Sequence, residues 1–263
     1  MQKKIAIIGC GNLGQAILKG LIEDKTYPSE NITATKRNIE AIGQFKKEGV
    51  NITSDNQKAI DDSDIIILAL KPYTILDEIE NLKSSFRSNH TIVSLATGIS
   101  IAQITNIIGE NSPVFRAMPN TAADVKESVT CICSNTSDKN TVEDVDRFFQ
   151  LIGTTVHIDE SLMESATVIG ACGIAYVMRF MRAMVQGGIQ IGFDAETANK
   201  IVTQTVLGSA QLLLERGQHP EYEIDKVTTP KGCTIVGLNE MEHNGFSSAL
   251  IKGIIASSKA INE

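Results

Sequence analysis

The sequence predicts an α/β first domain on a parallel doubly wound sheet, residues 1–158, and an all-helical second domain, residues 159–263. Three observations support this. Short apolar strands alternate with helical segments up to residue 158. Closely spaced glycines follow the first strand and open the first helix. Beyond residue 159 only helical periodicity continues.

Each element has a local reason. Residues 3–8 form a short apolar strand; two lysines precede it, as in a signal peptide, but the run breaks at once into Gly-Cys-Gly-Asn. Residues 12–24 carry helical periodicity, 31–35 read as a strand, 39–47 as a helix and 50–53 as a brief strand. Residues 64–70, DIIILAL, are apolar on both faces, as a central parallel strand is, and 91–95 repeat that character. Ser100 can cap the helix after it. Val114–Met118 is a further strand ending at Pro119, 128–133 alternates, and a helix near 143–151 precedes a last strand at 154–158. In the second domain, 161–187 reads as one long helix with Met178, Met181 and Met184 on its flank. Asp194 is an N-cap for a helix running to Arg216, with Gly217 as its stop. Shorter helices follow at 234–243 and 246–261. So small and apolar a helical domain is expected to cover one face with another copy of itself, giving a homodimer or a higher oligomer.

Composition narrows the class. Hydrophobic residues at 42% and charged ones at 21% describe an ordinary folded chain. A net charge of −7 argues against nucleic acid as the main partner. The uninterrupted apolar runs are too short to span a bilayer, so no membrane partner is expected. Five irregularly spaced cysteines point to reduced thiols and a cytoplasmic location. His90, His157, His219 and His243 lack ligand spacing, so no metal is expected.

Gly9, Cys10, Gly11, Asn12, Leu13 and Gly14 fit G-x-G-x-x-G between a strand and a helix, the Rossmann-type setting. The first glycine allows a tight turn, the second lets the backbone approach a pyrophosphate, and the third allows close helix–strand packing; the helix N-terminus adds N–H donors. An NAD site carries Asp or Glu at the end of the second strand. Here stand Ala34-Thr35-Lys36-Arg37-Asn38. Thr35, Lys36 and Arg37 suit a ribose 2′-phosphate, so NADPH is expected, with NADH as the alternative donor. The competing reading of Lys36 and Arg37 is a solvated basic turn. Ala69-Leu70-Lys71-Pro72, Ala96-Thr97-Gly98 and Met118-Pro119-Asn120 each follow a predicted parallel strand, at the sheet edge where ligands bind. Plain turn chemistry is the other explanation.

The stretch DKVTTPKGCTIVGL, 225–238, joins two helical patterns and offers almost no acid or base. With IGCGNLG, LALKP, ATG, RAMPNT, GACGIAYVMRF and QTVLGSAQLLLERGQHP, it resembles the pyrroline-5-carboxylate reductase family over essentially the whole chain. The resemblance implies hydride transfer from NAD(P)H to the imine of 1-pyrroline-5-carboxylate, giving proline. It implies a helical domain that intertwines with a second subunit. Gly9 to Gly14, Thr35, Asn56, Ala69 to Pro72 and Ala96 to Gly98 match cofactor-contacting positions. Thr229, Cys233 and Thr234 match the substrate loop, and Glu160 falls near a position that contacts bound product. Two departures stand out. The family commonly has Ser-Gly-Ser-Gly-Pro-Ala-Tyr where this chain has Gly170-Ala171-Cys172-Gly173-Ile174-Ala175-Tyr176, and Pro-Gly-Gly where it has Pro230-Lys231-Gly232.

Such chemistry asks little of side chains, because the cofactor supplies the hydride. The N–H groups around Gly232, Cys233 and Thr234, with the Thr229 hydroxyl, suit a small carboxylate. The Thr234 hydroxyl suits the ring nitrogen, as a polarising donor or a proton relay. Plainer readings compete elsewhere. Cys131 and Cys133 fit as buried apolar groups, Cys172 and Cys233 fit as packing groups, and Glu160 and Glu164 fit as helix-start carboxylates. Two rival functions remain at this stage. A β-hydroxyacid dehydrogenase would need a lysine in the helix at 161–187, where only Arg179 and Arg182 occur. A non-enzymatic dinucleotide sensor would not need the TTPKGCT loop. The cofactor expectation is checked by comparing KM for the two dinucleotides: NADPH should have the lower value, and a clear preference for NADH overturns it.

Overall fold

A computed structural model describes residues 3–262; residues 1, 2 and 263, which the expected domain limits include, lie outside them. The chain divides between Ala171 and Cys172, and Ile261 and Asn262 join the first unit.

The first unit holds one eight-stranded sheet: β1 Ile5–Ile8, β2 Ile32–Thr35, β3 Asn51–Thr53, β4 Ile65–Leu68, β5 Thr91–Ser94, β6 Val114–Met118, β7 Ser128–Ser134 and β8 Gly153–His157. Their order is β3-β2-β1-β4-β5-β6-β7-β8. The chain winds outward from β1 in one direction, then returns to continue from β4 in the other. The crevice beyond β1 and β4 is therefore the topological switch point. The sheet is parallel except where β7 runs antiparallel to β6. The all-parallel expectation is corrected at that step, and the reason is length. A parallel crossover needs about a dozen residues or more, and the link after Met118 holds only a 3-10 turn, Thr121–Val125.

Helices α1 Asn12–Asp24, α2 Asn56–Asp61, α3 Pro72–Asn81, α4 Ile101–Ile108 and α5 Lys139–Gln150 cover the sheet. The pleat sorts β1 between two cores. Ile5 and Ile7 join Ile65, Ile67 and Val93 under Ile17, Leu18 and Leu21 of α1 and Phe148 and Phe149 of α5. Ala6 and Ile8 join Ile66, Leu68 and Ile92 under Ile75 and Ile79 of α3 and Ile104 of α4. Each such side chain contributes about 1.5–3 kcal/mol on burial, so the central strands hold the unit together. Helices α2 and α3 were not anticipated, although Asp55 caps α2 and Pro72 occupies the first turn of α3. The helix expected at 39–47 is a 3-10 helix, Ile39–Glu48. It buries only Ile42 and Phe45, three residues apart, and three residues per turn puts both on one side. After β8 come a short helix α6, Met163–Ala166, and a π-helical stretch, Thr167–Cys172.

The second unit is helical: α7 Gly173–Gln190, α8 Ala195–Arg216, α9 Pro220–Val227, α10 Cys233–His243 and, up to Ala260, α11 Phe246–Asn262. Asp194 caps α8, accepting from Thr197 N–H at 3.0 Å, and Gly217 ends it in the left-handed region, as the sequence implies. Its own core is small: Val185, Ala198 and Val202 with Met181, Met184 and Val206 beside them. Val177, Met178, Leu207, Val236, Ile251 and Ile255 stay exposed. Among the described residues one helical stretch, Glu160–Gln190, is long and apolar enough to cross a membrane by length and composition alone, with a mean hydropathy of 1.5 over an 18-residue window.

His90 directly precedes β5 and is fully buried. Arg87 Nε donates to His90 Nε2 at 2.9 Å. Burial pushes the imidazole below its usual pKa and the Arg87 guanidinium pushes the same way; Asp64 and Asp61 oppose them. The folded His90 therefore stays neutral at pH values where the unfolded chain, titrating near about 6.5, takes up a proton. Its contribution is whole above that pH and is lost as the pH falls towards the lower folded value. Stability should fall between about pH 7 and pH 5 more steeply in the wild type than in His90→Gln, by at most about 1.4 kcal/mol per pH unit. Denaturant melts at each pH measure it, and parallel curves would contradict it.

Candidate functional site

The glycine turn joins β1 to α1. Gly9 sits at φ +83, where a residue with a side chain pays about 1–2 kcal/mol. A Cβ there would also stand 2.5 Å from Leu70 Cδ2 and 3.0 Å from the Ala69 carbonyl oxygen. Thr35, at the end of β2, holds the turn: Gly9 N–H donates to Thr35 Oγ1 at 3.1 Å, and Cys10 N–H to the Thr35 carbonyl at 2.7 Å. At Gly14 a Cβ would lie 3.3 Å from Ile7 Cγ2, which brings α1 close over β1. Gly11 is different. Its φ is −80, and the one atom near an added Cβ is 3.9 Å away. Nothing in the chain requires glycine there; the approach of a pyrophosphate does. No side chain caps α1, and its first turn has no acid, so its leading N–H groups and positive dipole end suit a phosphate. These residues fit a dinucleotide.

The neighbouring residues divide by role. Thr35 is 1% exposed with its hydroxyl engaged by Gly9, so it shapes the turn. Lys36 is half-buried and Arg37 exposed at the end of β2. Cys10 belongs to the apolar core, and burial raises its thiol to about 11, which leaves its backbone as the useful part. Asn56 Nδ2 donates to Glu78 Oε1 at 2.6 Å, tying α2 to α3. Ala69 N–H donates to the Ile8 carbonyl at 2.9 Å and so lies beside the glycine turn. Ala96 is buried, Thr97 half-buried, and Gly98 is exposed at φ +73. Ser100 and Gln103 form a capping box on α4.

A cleft of about 460 Å³ brings Gly11, Asn12 and Leu13 against Lys71, Pro119 and Asn120. Three of the expected groups thus meet. Thr121, Asp124 and Ala171 also line it and were not anticipated; Thr121 directly follows the Met-Pro-Asn turn, while Asp124 has no local signal. Met118 and Asn120 are buried. Asn120 works inside the wall: its Oδ1 accepts from Ala122 N–H at 3.0 Å and its Nδ2 donates to the Gly170 carbonyl at 3.1 Å. Two larger hollows, about 650 and 690 Å³, share Lys4, Asn31 and Asp62 and hold no residue of the glycine turn.

Glu160, expected beside bound product, uses Oε1 within the first unit. It accepts from Ile101 N–H at 2.7 Å and from Arg116 Nη1 at 3.1 Å. Arg116 Nη2 donates to Glu164 Oε1 at 2.8 Å. Cys133, paired across the sheet with Arg116, is raised to about 11, first by burial, then by Glu160. It is an inert apolar group, as expected.

The TTPKGCT loop belongs to the second unit. Gly232 N–H donates to the Thr229 carbonyl at 2.9 Å, closing a turn over Pro230 and Lys231. Lys231 sits at φ +61. Glycine is the natural residue there, so the family's Pro-Gly-Gly becomes Pro-Lys-Gly at a strain of about 1–2 kcal/mol. Gly232 precedes α10 with no side-chain cap. A Cβ on it would lie 2.4 Å from Thr229 Oγ1, so its absence lets that hydroxyl stand at the helix start. Cys233 is exposed and Thr234 half-buried in the first turn.

The family profile for pyrroline-5-carboxylate reductase dimerisation matches residues 160–263, and that for NADP oxidoreductase, coenzyme F420-dependent, matches 4–98. Pyrroline-5-carboxylate reductase 1 of Dictyostelium discoideum is 45% identical over 97% of this chain, which spans 48% of that relative's length. Pyrroline-5-carboxylate reductase 2 of the same organism is 40% identical over 98% of this chain and 91% of its own. The crystal structure of Plasmodium falciparum pyrroline carboxylate reductase with NADP bound superposes at a TM-score of 0.87 and 27% identity, over 99% of this chain and 98% of that one. Fold and site together define an NAD(P)-dependent oxidoreductase. The chain belongs to the pyrroline-5-carboxylate reductase family.

Gly11→Ala separates fold from ligand. The variant should keep its melting temperature, because the methyl meets open space, yet lose about tenfold or more in NADPH affinity. Fluorescence titration and thermal melts measure both. Unchanged affinity would remove Gly11 from the cofactor site.

Proposed function

We propose that this chain reduces 1-pyrroline-5-carboxylate to L-proline with NADPH as the preferred donor. The observation that carries the assignment is the uncapped N-terminus of α10 in a member of this family, entered through a turn whose Gly232 admits the Thr229 hydroxyl. Gly9, Gly11 and the first turn of α1 would hold the dinucleotide, with Lys36 and Arg37 for a 2′-phosphate. When bound, it supplies the hydride.

The chain's own groups bind and orient the imine. The N–H groups of Cys233 and Thr234 with the Thr229 hydroxyl take the substrate carboxylate, where the helix dipole favours negative charge. The Gly232 N–H, expected there too, is instead engaged by the Thr229 carbonyl. Lys231 adds a cation at the same turn. The Thr234 hydroxyl donates to the ring nitrogen, which gains electron density as the C=N bond is reduced. A hydroxyl is too weak an acid to protonate that nitrogen unaided, so Thr234 polarises it or relays a proton. No general base is required.

Two copies joined through the helical unit are the proposed assembly. A stable apolar face needs cover, and the dimerisation profile spans that unit. The proposed functional division keeps 1–158 for the cofactor and 159–263 for substrate and assembly. All five cysteines are free, which suits a reducing cytoplasm.

Purified protein with pyrroline-5-carboxylate and NADPH should form proline; failure to do so would sink the assignment. Thr234→Ala should lower kcat/KM by roughly tenfold to a thousandfold, the range for losing one positioned donor. Steady-state kinetics decide it, and an unchanged value removes Thr234 from the mechanism.

A further inference from the structure

Arg116 stands at the middle of strand β6 and is 3% exposed. Two carboxylates take its terminal nitrogens, Glu160 on Nη1 and Glu164 on Nη2. Its Nε has no partner among the described residues. Such a group is poor value for stability alone. Desolvating an ion pair offsets most of its attraction, and an apolar replacement is often as stable. What a buried guanidinium does supply is direction, because its planar fork fixes where each partner sits.

The two carboxylates are not equivalent. Both bond Arg116, but Glu160 Oε1 also accepts from Ile101 N–H at 2.7 Å. Ile101 is the first residue of α4. Directly before it lie Ser100, whose side chain caps the helix, Ile99, and the turn Ala96-Thr97-Gly98. Gly98 is exposed and has no side chain with which to anchor that turn. Ala96, Ile99 and Ile101 belong to the same apolar cluster as Met163, which follows Glu160 by three residues.

We infer that Glu160 is a positioning residue for the cofactor. Held by Arg116, it pins the first turn of α4 and thereby the 96–98 turn at the carboxyl edge of the sheet. Glu164 steadies Arg116 and makes no hydrogen bond to α4 among the described residues. This rests on the reading that the 96–98 turn faces the dinucleotide.

Three variants test it: Glu160→Ala, Glu160→Gln and Glu164→Ala. Each is measured for NADPH Kd by fluorescence titration, for KM of NADPH and of the imine, for kcat, and for melting temperature. Losing a hydrogen bond to a charged group corresponds to about a tenfold change, so Glu160→Ala should raise NADPH Kd and KM about tenfold with a smaller change in kcat. Glu160→Gln keeps an acceptor for Ile101 N–H and should restore Kd to within about threefold. If Glu160→Ala does not fold, Glu160→Ser, whose side chain is too short to span the same hydrogen bond, takes its place in the comparison with Glu164→Ala. Glu164→Ala should lower the melting temperature but shift NADPH Kd by less than about twofold. Equal rises for Glu160→Ala and Glu164→Ala would mean general loosening and overturn the proposal. So would a rise confined to the KM of the imine, which would make Glu160 a substrate contact. A wild-type chain that binds no NADPH would overturn the cofactor reading and this inference with it. Tight wild-type binding with unchanged variants would overturn this inference alone.

Discussion

The cofactor side of the structure depends on one bend, from β1 through Gly9 into α1. It exists because Gly9 can take φ +83 and because Thr35 accepts its N–H. With that bend, α1 starts beside Ala69 at the switch point of the sheet. Its free N–H groups then open into the cleft shared with Lys71 and Asn120. A side chain at Gly9 would strike Leu70, so the turn and the β4 edge are parts of one object. The chemistry follows from this economy. The protein arranges backbone donors and leaves electron transfer to what it binds.

Much of this arrangement was legible in the sequence, for identifiable reasons. The strands at 64–70 and 91–95 announced themselves because both faces of a central strand are buried, and the structure buries every residue of β4 and β5. The capping signals of Ser100 and Asp194 are local, and each appears where expected. The antiparallel β7 was not legible. Its alternation is the same in either direction, and only the length of the preceding link decides. Within the candidate site, the glycines and the sheet-edge turns could be read from spacing. The role of Thr35 could not, because a threonine facing a phosphate and one gripping a turn look alike in one dimension. The Arg116 clamp joins residues 116, 160 and 164 across a distance in sequence that no periodicity spans.

The departure at Ile174 also acquires a physical meaning. A proline there would lack an N–H and crowd the carbonyl four residues earlier, forcing the helix out of regular geometry. Isoleucine imposes no such demand. The preceding stretch is nonetheless π-helical, and Asn120 donates to the Gly170 carbonyl. The irregularity that a ring would enforce sterically is accompanied here by a side-chain hydrogen bond from the cleft wall, and π turns of this kind are frequent at functional sites.

The small core of the second unit has a thermodynamic consequence. With Val185, Ala198 and Val202 as its buried apolar centre, little of its folding free energy is internal. Under the proposed assembly, association of copies supplies the rest. The stability of that unit then obeys mass action and rises with protein concentration. Thr229 and Thr234 lie in this same unit. Under that assembly, the integrity of the loop proposed for the substrate is a collective property of the population of chains, tuned by how much of the protein is present.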